Sequence, residues 1–136
     1  MIDLTSIKLS GAASVDLQEL VGEQFEIELS GAGDIKIDSL TVETLVVTIS
    51  GEGNFEAAGK VETQLIILSG LGKYFAPFLE SKEATLTING AGGAEIWANE
   101  KLDVTINGAG DVDYFGNPSL TQEINGLGSI KHHDDQ

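Results

Sequence analysis

The chain has 136 residues, enough for one domain with a substantial core, and a formal net charge of −15 from 22 acidic residues and seven lysines, with no arginine. A charge this negative repels nucleic acid and anionic lipid, and the absence of the guanidinium group disfavours phosphate and nucleotide sites. We therefore expect no nucleic-acid partner and, because no apolar run reaches transmembrane length, no direct insertion into a membrane.

The chain contains no cysteine, which excludes disulfides, thiolate metal sites and a cysteine nucleophile. The sequence opens directly into a strand-like pattern, MIDLTSIKLSG, in which no signal peptide is recognised. These features leave two interpretations open, a cytoplasmic protein or an exported one whose leader is not present in this chain.

A short glycine-containing element recurs seven times along the chain at intervals of 18 to 20 residues. It reads SGxxx in the first four copies and NGxGx in the last three, and self-similarity of this kind predicts a repeat architecture. The copies begin at the following glycines: Gly11, Gly31, Gly51, Gly70, Gly90, Gly108 and Gly126.

Apolar and polar residues alternate on both sides of each repeated glycine. In the second copy, Ile27 and Leu29 precede Gly31, and Ile35 and Ile37 follow it, with polar residues between them. Period-two alternation predicts strands with one buried face, so each repeat should hold a strand, a glycine corner, a second strand and a looser third side. The third side often carries a leucine, as at Leu20, Leu40 and Leu79.

An antiparallel meander and a parallel solenoid both fit such repeats. Equivalent positions in all seven copies carry the same residue class, which is expected if the copies stack about 4.8 Å apart. The pattern therefore predicts an all-β, right-handed parallel β-solenoid (β-helix) of about seven 18–20-residue coils, with the hand taken from the crossover rule. We place the solenoid at residues 1–131 and a charged C-terminal tail at residues 132–136.

The residue before each corner glycine changes in a block from serine to asparagine. Identical small polar residues stacked at a corner can form hydrogen bonds along the axis, so we predict a structural corner ladder. The alternative is that Ser-Gly and Asn-Gly are simply favourable turn dipeptides. The predicted ladder consists of Ser10, Ser30, Ser50, Ser69, Asn89, Asn107 and Asn125.

These motifs resemble the head GIN domain family of bacterial auto-transporter adhesins, whose members carry (S/N)GxGD-hydrophobic elements in a β-solenoid. The last stretch, LDVTINGAGDVDYFGNPSLTQEINGLGSIKH, is especially similar, with its YFGNP corner at Tyr114–Pro118. The resemblance covers the whole chain and implies an exported or cell-surface protein without supplying a catalytic residue. Members usually carry a leader and further β-structure before the repeats, which are absent here. A second departure is KYFAPFLES, residues 73–81, where Pro77 and three aromatics predict a bulged coil.

The sequence offers no convincing catalytic group. Both histidines, His132 and His133, lie near the terminus in HHDDQ, so no Ser-His-acid triad can be assembled. They could ligate a metal together with Asp134 and Asp135, but a terminal tail is expected to be mobile, and no metal site is assigned. We therefore expect no enzyme activity and no catalytic residue.

The GxG elements themselves do not predict a ligand site. A dinucleotide site needs a helix after the glycines, and no helical period follows any copy. A calcium-binding nonapeptide repeat needs GGxGxD every nine residues, whereas this repeat is twice as long and only Asp34 and Asp111 fill the acidic position. Weak calcium binding is the one cofactor interpretation left open.

Aromatic residues cluster in the last four coils and provide a candidate binding surface. Outward aromatics stacked along a rod would form a strip that contacts carbohydrate or protein. The alternative is that irregular coils turn these rings inward as core or cap. The predicted strip consists of Phe75, Phe78, Trp97 and Phe115.

These observations predict a non-catalytic, extracytoplasmic adhesion or interaction module of the cell surface, with a protein or glycan partner. The alternative is a structural subunit that self-assembles as a dimer or an end-to-end filament through its N-terminal end, since nothing precedes Ile2 and Leu4 to cap the first coil. A third possibility, a solenoid enzyme acting on acidic sugars, is disfavoured because no cluster of lysines or arginines could hold such a substrate.

Overall fold

The computed structural model describes residues 2–133, with the side chains of residues 2–5 and 13 outside the description. In this part of the chain there is no helix capable of crossing a membrane. Nearly all of the described residues are in strands, because apolar and polar residues alternate along the chain. The strands are β1 (Ile2–Leu9), β2 (Ala12–Leu17), β3 (Leu20–Leu29), β4 (Ala32–Ile49), β5 (Glu52–Leu68), β6 (Lys73–Ile88), β7 (Ala91–Ile106), β8 (Ala109–Phe115), β9 (Ser119–Ile124) and β10 (Leu127–His133).

All of these strands pair in parallel, and the register follows the length of the repeat. Ile27 pairs with Val47, Val47 with Ile66, and Ile66 with Leu86. The strands follow the order β1-β3-β4-β5-β6-β7-β8-β10, with β2 against β4 and β9 against β7. The predicted parallel β-solenoid of about seven coils is confirmed, and its hand stays a prediction. We number the coils one to seven by the seven corner glycines.

The third side of each central coil is also strand. Strands β4 to β7 each continue without interruption from just after one glycine corner to just before the next, and Leu40 and Leu79 are fully buried in them. The expected looser third side is therefore wrong for these coils. Each central coil lies between two others, so its backbone groups find partners on both sides. In the outer coils the strand is interrupted between β2 and β3 and between β8 and β9.

The corner glycines form a column in which each one lies against the glycine of the preceding coil. A Cβ added to Gly90 would lie 2.5 Å from the carbonyl oxygen of Gly70 and 2.7 Å from its nitrogen. Within this column only Gly11 has a positive φ, of 87°. Most corners therefore require glycine because the coils approach too closely for a side chain, and not because the backbone is left-handed.

The core fills the inside of the coils with alternate residues from both strands that flank each corner. At the second corner, for example, Ile27 and Leu29 before Gly31 and Ile35 and Ile37 after it are at most 1% exposed. Larger rings occupy the middle of the rod, where Phe55 and Tyr74 stack with centroids 5.1 Å apart and planes at 9°. This packed interior forces any binding surface onto the outside of the coils.

Candidate functional site

Coil four carries three more residues than coil five on the side that follows the corner. Ala76 pairs with Ile96 and Glu80 with Trp97, so residues 77–79 have no counterpart in coil five. The register against coil three also shifts, between Glu56 and Ala58. Proline has no N–H to donate to a ladder, which favours a bulge at this point of the strand.

Two phenylalanines are exposed here, one just before the bulge and one within it. Phe75 is 42% exposed and Phe78 is 57% exposed, whereas Leu79, the next residue, is fully buried. Phe75 and Phe78 lie together at the edge of one surface depression, next to the buried Pro77. We call Phe75 and Phe78 the aromatic patch.

Beside the aromatic patch, the outward side chains of coils two, three and four form a regular grid. One row stands three residues after each corner glycine and the other stands five residues after it. Neighbouring coils are about 4.8 Å apart and alternate residues of a strand about 6.6 Å apart, so the two rows border one shallow groove, with a volume of about 460 Å³. We call it the coil-four groove, and its six outward side chains are those of Asp34, Asn54 and Lys73 in the first row and Lys36, Glu56 and Phe75 in the second.

The charged groups of the coil-four groove are balanced. Asn54 Nδ2 donates a hydrogen bond of 2.9 Å to Asp34 Oδ1, which holds these two side chains together. Lys36 and Lys73 form no ion pair within the described residues. By contrast, Lys82 Nζ, outside the groove, lies 3.7 Å from Glu62 Oε1. Two ammonium groups and two carboxylates give the groove a formal charge of zero, in a chain whose net charge is −15.

The carboxylates beyond Phe75 belong to a second, more acidic depression that also contains Lys73. Burial raises the pKa of the Glu95 carboxyl, Asp113 raises it further, and His133 lowers it. His133 Nε2 lies 3.0 Å from Asp113 Oδ1. The described residues contain no group of three or more histidine, cysteine, aspartate or glutamate side chains placed to hold a metal ion.

The other two members of the predicted aromatic strip are not fully outward. Phe115 is only 8% exposed, so its expected outward orientation is wrong. It is the last residue of β8, directly before Gly116 with a φ of 94°, and at this corner the alternation of inward and outward residues ends. Trp97 is half-buried, and its Nε1 donates to Asn99 Oδ1 at 3.0 Å. Only Phe75 and Phe78 of the predicted strip are exposed rings.

The two histidines are packed against the previous coil. His132 stacks on Tyr114 with ring centroids 4.8 Å apart, and His133 stacks on Phe115 at 5.1 Å. Both lie in β10, which extends two residues beyond the boundary drawn between solenoid and tail. Asp134 and Asp135 of the expected tail lie outside the described residues.

The corner column of serines and asparagines is joined in two ways. In its second half, Asn107 Nδ2 donates to Asn89 Oδ1 and Asn125 Nδ2 donates to Asn107 Oδ1, each at 2.8 Å. In the serine half, Ser30 Oγ donates to the Leu9 carbonyl oxygen at 3.3 Å, and the described residues show no bond from one serine side chain to another. An amide both donates and accepts through atoms far enough apart to span two coils, whereas a hydroxyl is too short.

A buried polar cluster beneath the bulge was not anticipated from the sequence. Tyr74 Oη donates to Gln64 Oε1, while Gln64 Nε2 and Ser81 Oγ donate to the Trp97 carbonyl oxygen at 3.5 Å and 2.7 Å. Gln64 and Ser81 are at most 1% exposed. The available signal was Gln64 itself, which stands in an inward column between Leu45 and Ala84.

Comparisons with known proteins agree with this architecture. The family model described as "Putative auto-transporter adhesin, head GIN domain" matches residues 1–118, which confirms the resemblance over that part of the chain. A solved structure described as a putative adhesin from Bacteroides fragilis NCTC 9343 is 16% identical with a TM-score of 0.80, covering 97% of this chain and 92% of that one. At 16% identity, the likeness establishes the fold alone.

A second solved structure is described as a putative lipid binding protein from Parabacteroides distasonis ATCC 8503. It is 24% identical with a TM-score of 0.82 and covers 98% of this chain. This chain spans 57% of that structure's length. No curated protein matches this chain.

Proposed function

Because this chain belongs to the head GIN domain family of auto-transporter adhesins, we propose that it works as a non-catalytic interaction module at the cell surface, outside the cytoplasm. The observation that carries the proposal is the aromatic patch, where Phe75, just before the bulge of coil four, and Phe78, within it, are exposed on a rod whose remaining large rings are buried or half-buried. Exposed rings on a rigid frame are the usual anchors of a binding surface.

The placement of the patch supports binding in preference to a purely structural role. The bulge lies in the middle of the rod, in a coil held by long parallel ladders on both sides. Burying Phe78 in the core in place of Leu79 would have hidden the larger apolar surface, yet Leu79 is the buried residue. An exposed ring lowers solubility without stabilising the fold, so a partner that covers it gives the arrangement a purpose.

The filled interior argues against an enclosed lipid site in this chain. A lipid tail needs a continuous apolar cavity, and the space inside the coils is occupied by closely packed side chains such as Phe25, Phe55 and Tyr74, all at most 1% exposed. The outer depressions are open and lined with charged groups. The lipid-binding description of the Parabacteroides structure is therefore not extended to this chain.

Cell adhesion tests the proposal directly. Beads coated with the purified protein are presented to cultured epithelial cells and to bacterial cells, and retention after washing is compared with albumin-coated beads. We expect retention that falls severalfold when Phe75 and Phe78 are both replaced by alanine. Val21→Ala is the matched control, because Val21 is 56% exposed in coil one and lies away from the patch.

Two results would overturn the proposal. One is retention no better than albumin on every cell type, and the other is retention that the double alanine variant leaves unchanged. Circular dichroism of both variants establishes that they are folded before adhesion is compared.

Self-assembly through the N-terminal end stays a prediction. It depends on residues 1–5, whose side chains lie outside the described residues. Electron microscopy of the purified protein tests it, since filaments would favour assembly and discrete particles would favour a separate binding module.

A further inference from the structure

We propose that the coil-four groove binds a hexopyranose unit of a neutral glycan, with the sugar ring stacked on Phe75. This inference rests on the proposed function, because it names the partner class of the same surface. It depends on the pattern of the six groove side chains, their charges and the size of the groove.

Phe75 supplies the apolar contact. One face of a pyranose ring presents C–H groups, and a flat ring without polar atoms packs well against that face. Phe75 is 42% exposed, and its backbone is held by ladder partners on both sides, Glu56 in coil three and Glu95 in coil five. With the backbone held, only the two side-chain torsions of Phe75 lose freedom when a ligand covers the ring.

The polar groups around Phe75 suit the hydroxyls of a sugar. Each hydroxyl can both donate and accept a hydrogen bond, so a sugar site needs donors and acceptors in alternation. Glu56 next to Phe75 accepts, Lys73 next to Asn54 donates, and Asn54 does both. Its bond to Asp34 fixes the Asn54 amide and leaves its carbonyl oxygen available.

The charges of the groove favour a neutral ligand. Its two lysines are balanced by Asp34 and Glu56, so the groove has no formal net charge that would attract an ionised ligand. An acidic sugar would also meet the repulsion of a chain carrying −15 and would find no arginine to clamp its carboxylate.

The size of the groove favours a small ligand over a protein surface. Its volume of about 460 Å³ lies within the range of small-molecule sites. A stable protein interface buries at least about 1,000 Å² in total and has an apolar centre. The groove is instead small and concave, with four charged side chains and an asparagine around one aromatic ring.

Saturation-transfer NMR tests the inference with methyl glycosides of glucose, galactose, mannose and N-acetylglucosamine. We expect at least one to bind, with the strongest transfer at the ring C–H protons that lie on Phe75. Phe75→Ala should weaken binding about tenfold, the loss of one aromatic stacking contact. Asn54→Ala should weaken it severalfold, since it removes one hydrogen-bonding group and releases Asp34.

Two controls separate the groove from its surroundings. Leu71→Ala removes an exposed apolar side chain outside the groove, 60% exposed, and should leave glycoside binding unchanged. Methyl glucuronide should bind more weakly than methyl glucoside. If the glucuronide binds more tightly, or if Phe75→Ala leaves binding unchanged, the inference is wrong.

The outcome also separates this inference from the proposed function. If no glycoside binds, but coated beads still adhere in a manner that depends on Phe75 and Phe78, the partner is a protein surface and only the glycan inference fails. If neither binding nor adhesion is seen, both fail.

Discussion

The Tyr74 hydroxyl donates a hydrogen bond of 2.5 Å to Gln64 Oε1 in the interior of the solenoid, where both side chains are at most 1% exposed. The amide nitrogen of Gln64 continues the cluster to the Trp97 carbonyl oxygen, which also accepts from Ser81. Trp97 lies where the register between coils four and five breaks around the bulge. The buried cluster therefore satisfies a backbone group at the irregularity that contains the exposed Phe78.

Tyr74→Phe should destabilise the protein by about 1–2 kcal/mol, because Gln64 Oε1 is then buried without its partner. Urea denaturation of the variant and the wild type measures the difference. The double variant Tyr74→Phe with Gln64→Leu should lose less stability than the sum of the two single variants. In the double variant, neither residue 64 nor residue 74 keeps a polar group that has lost its partner. Equal stability of Tyr74→Phe and wild type would contradict the assigned bond.

The free energy of unfolding should fall at high pH because the Tyr74 hydroxyl ionises more readily in the unfolded chain. Burial raises the pKa of Tyr74 well above its ordinary value of 10.0, so above pH 10 the unfolded chain loses this proton while the folded protein keeps it. The resulting loss of stability continues as the pH rises towards the raised pKa of the folded state. The difference in denaturation midpoint between wild type and Tyr74→Phe should narrow from pH 9 to 11, because the variant lacks the ionisable group and only the wild type loses stability. Parallel pH profiles would show that Tyr74 does not cause the fall.

Gly90→Ala should destabilise the protein by about 3 kcal/mol or prevent folding, because its Cβ would overlap the backbone of Gly70. Gly93→Ala is the matched control, since the Cβ there meets only the Asp111 carbonyl oxygen at 3.4 Å, an ordinary contact. Thermal unfolding followed by circular dichroism compares them. A Gly90→Ala protein as stable as Gly93→Ala would contradict the close stacking of the corners.

Asn107→Ala should cost about 1 kcal/mol, because Asn107 both donates to Asn89 and accepts from Asn125. Ser50→Ala, at the equivalent corner of the serine half, should cost less, since no bond between serine side chains is lost among the described residues. Both positions are exposed, so water replaces part of what is removed. Urea denaturation should rank the two variants in this order, and a reversed order would argue against the asparagine ladder.

Glu95→Gln should stabilise the protein at pH 7, by less than about 1 kcal/mol because the side chain is still partly exposed to solvent. Burial is the main cause of the raised pKa of Glu95, with Asp113 second, so the folded state disfavours its ionised form. Stability of the wild type should therefore decrease as the pH rises from 4.5 through the raised pKa, and the advantage of the variant should grow over the same interval. Denaturation midpoints between pH 4 and 7 measure this, and an advantage that stays constant with pH would point to another cause.

Parts of the candidate site could be predicted from the sequence, and parts could not. Phe75 stands at an outward position of a regular repeat, so alternation alone predicts its exposure. Phe115 lies at a corner, where alternation no longer determines whether a side chain points inward or outward. Its ring is stacked on the ring of His133. The pairing of Gln64 with Tyr74 depends on how coil three stacks on coil four, which no local pattern encodes.

The repeat in the sequence determined the parallel stacking, the glycine corners and the buried apolar residues before and after each corner. Each of these depends on a short pattern that recurs with the period of one coil. The tertiary structure alone decided which side chains meet across coils. It placed Lys36, Glu56 and Phe75 in one row, because the register between parallel strands decides which residues about 20 positions apart become neighbours. It also decided the effect of the insertion in coil four. A bulge changes the direction of the side chains beside it, and here it leaves Phe78 exposed and Leu79 buried.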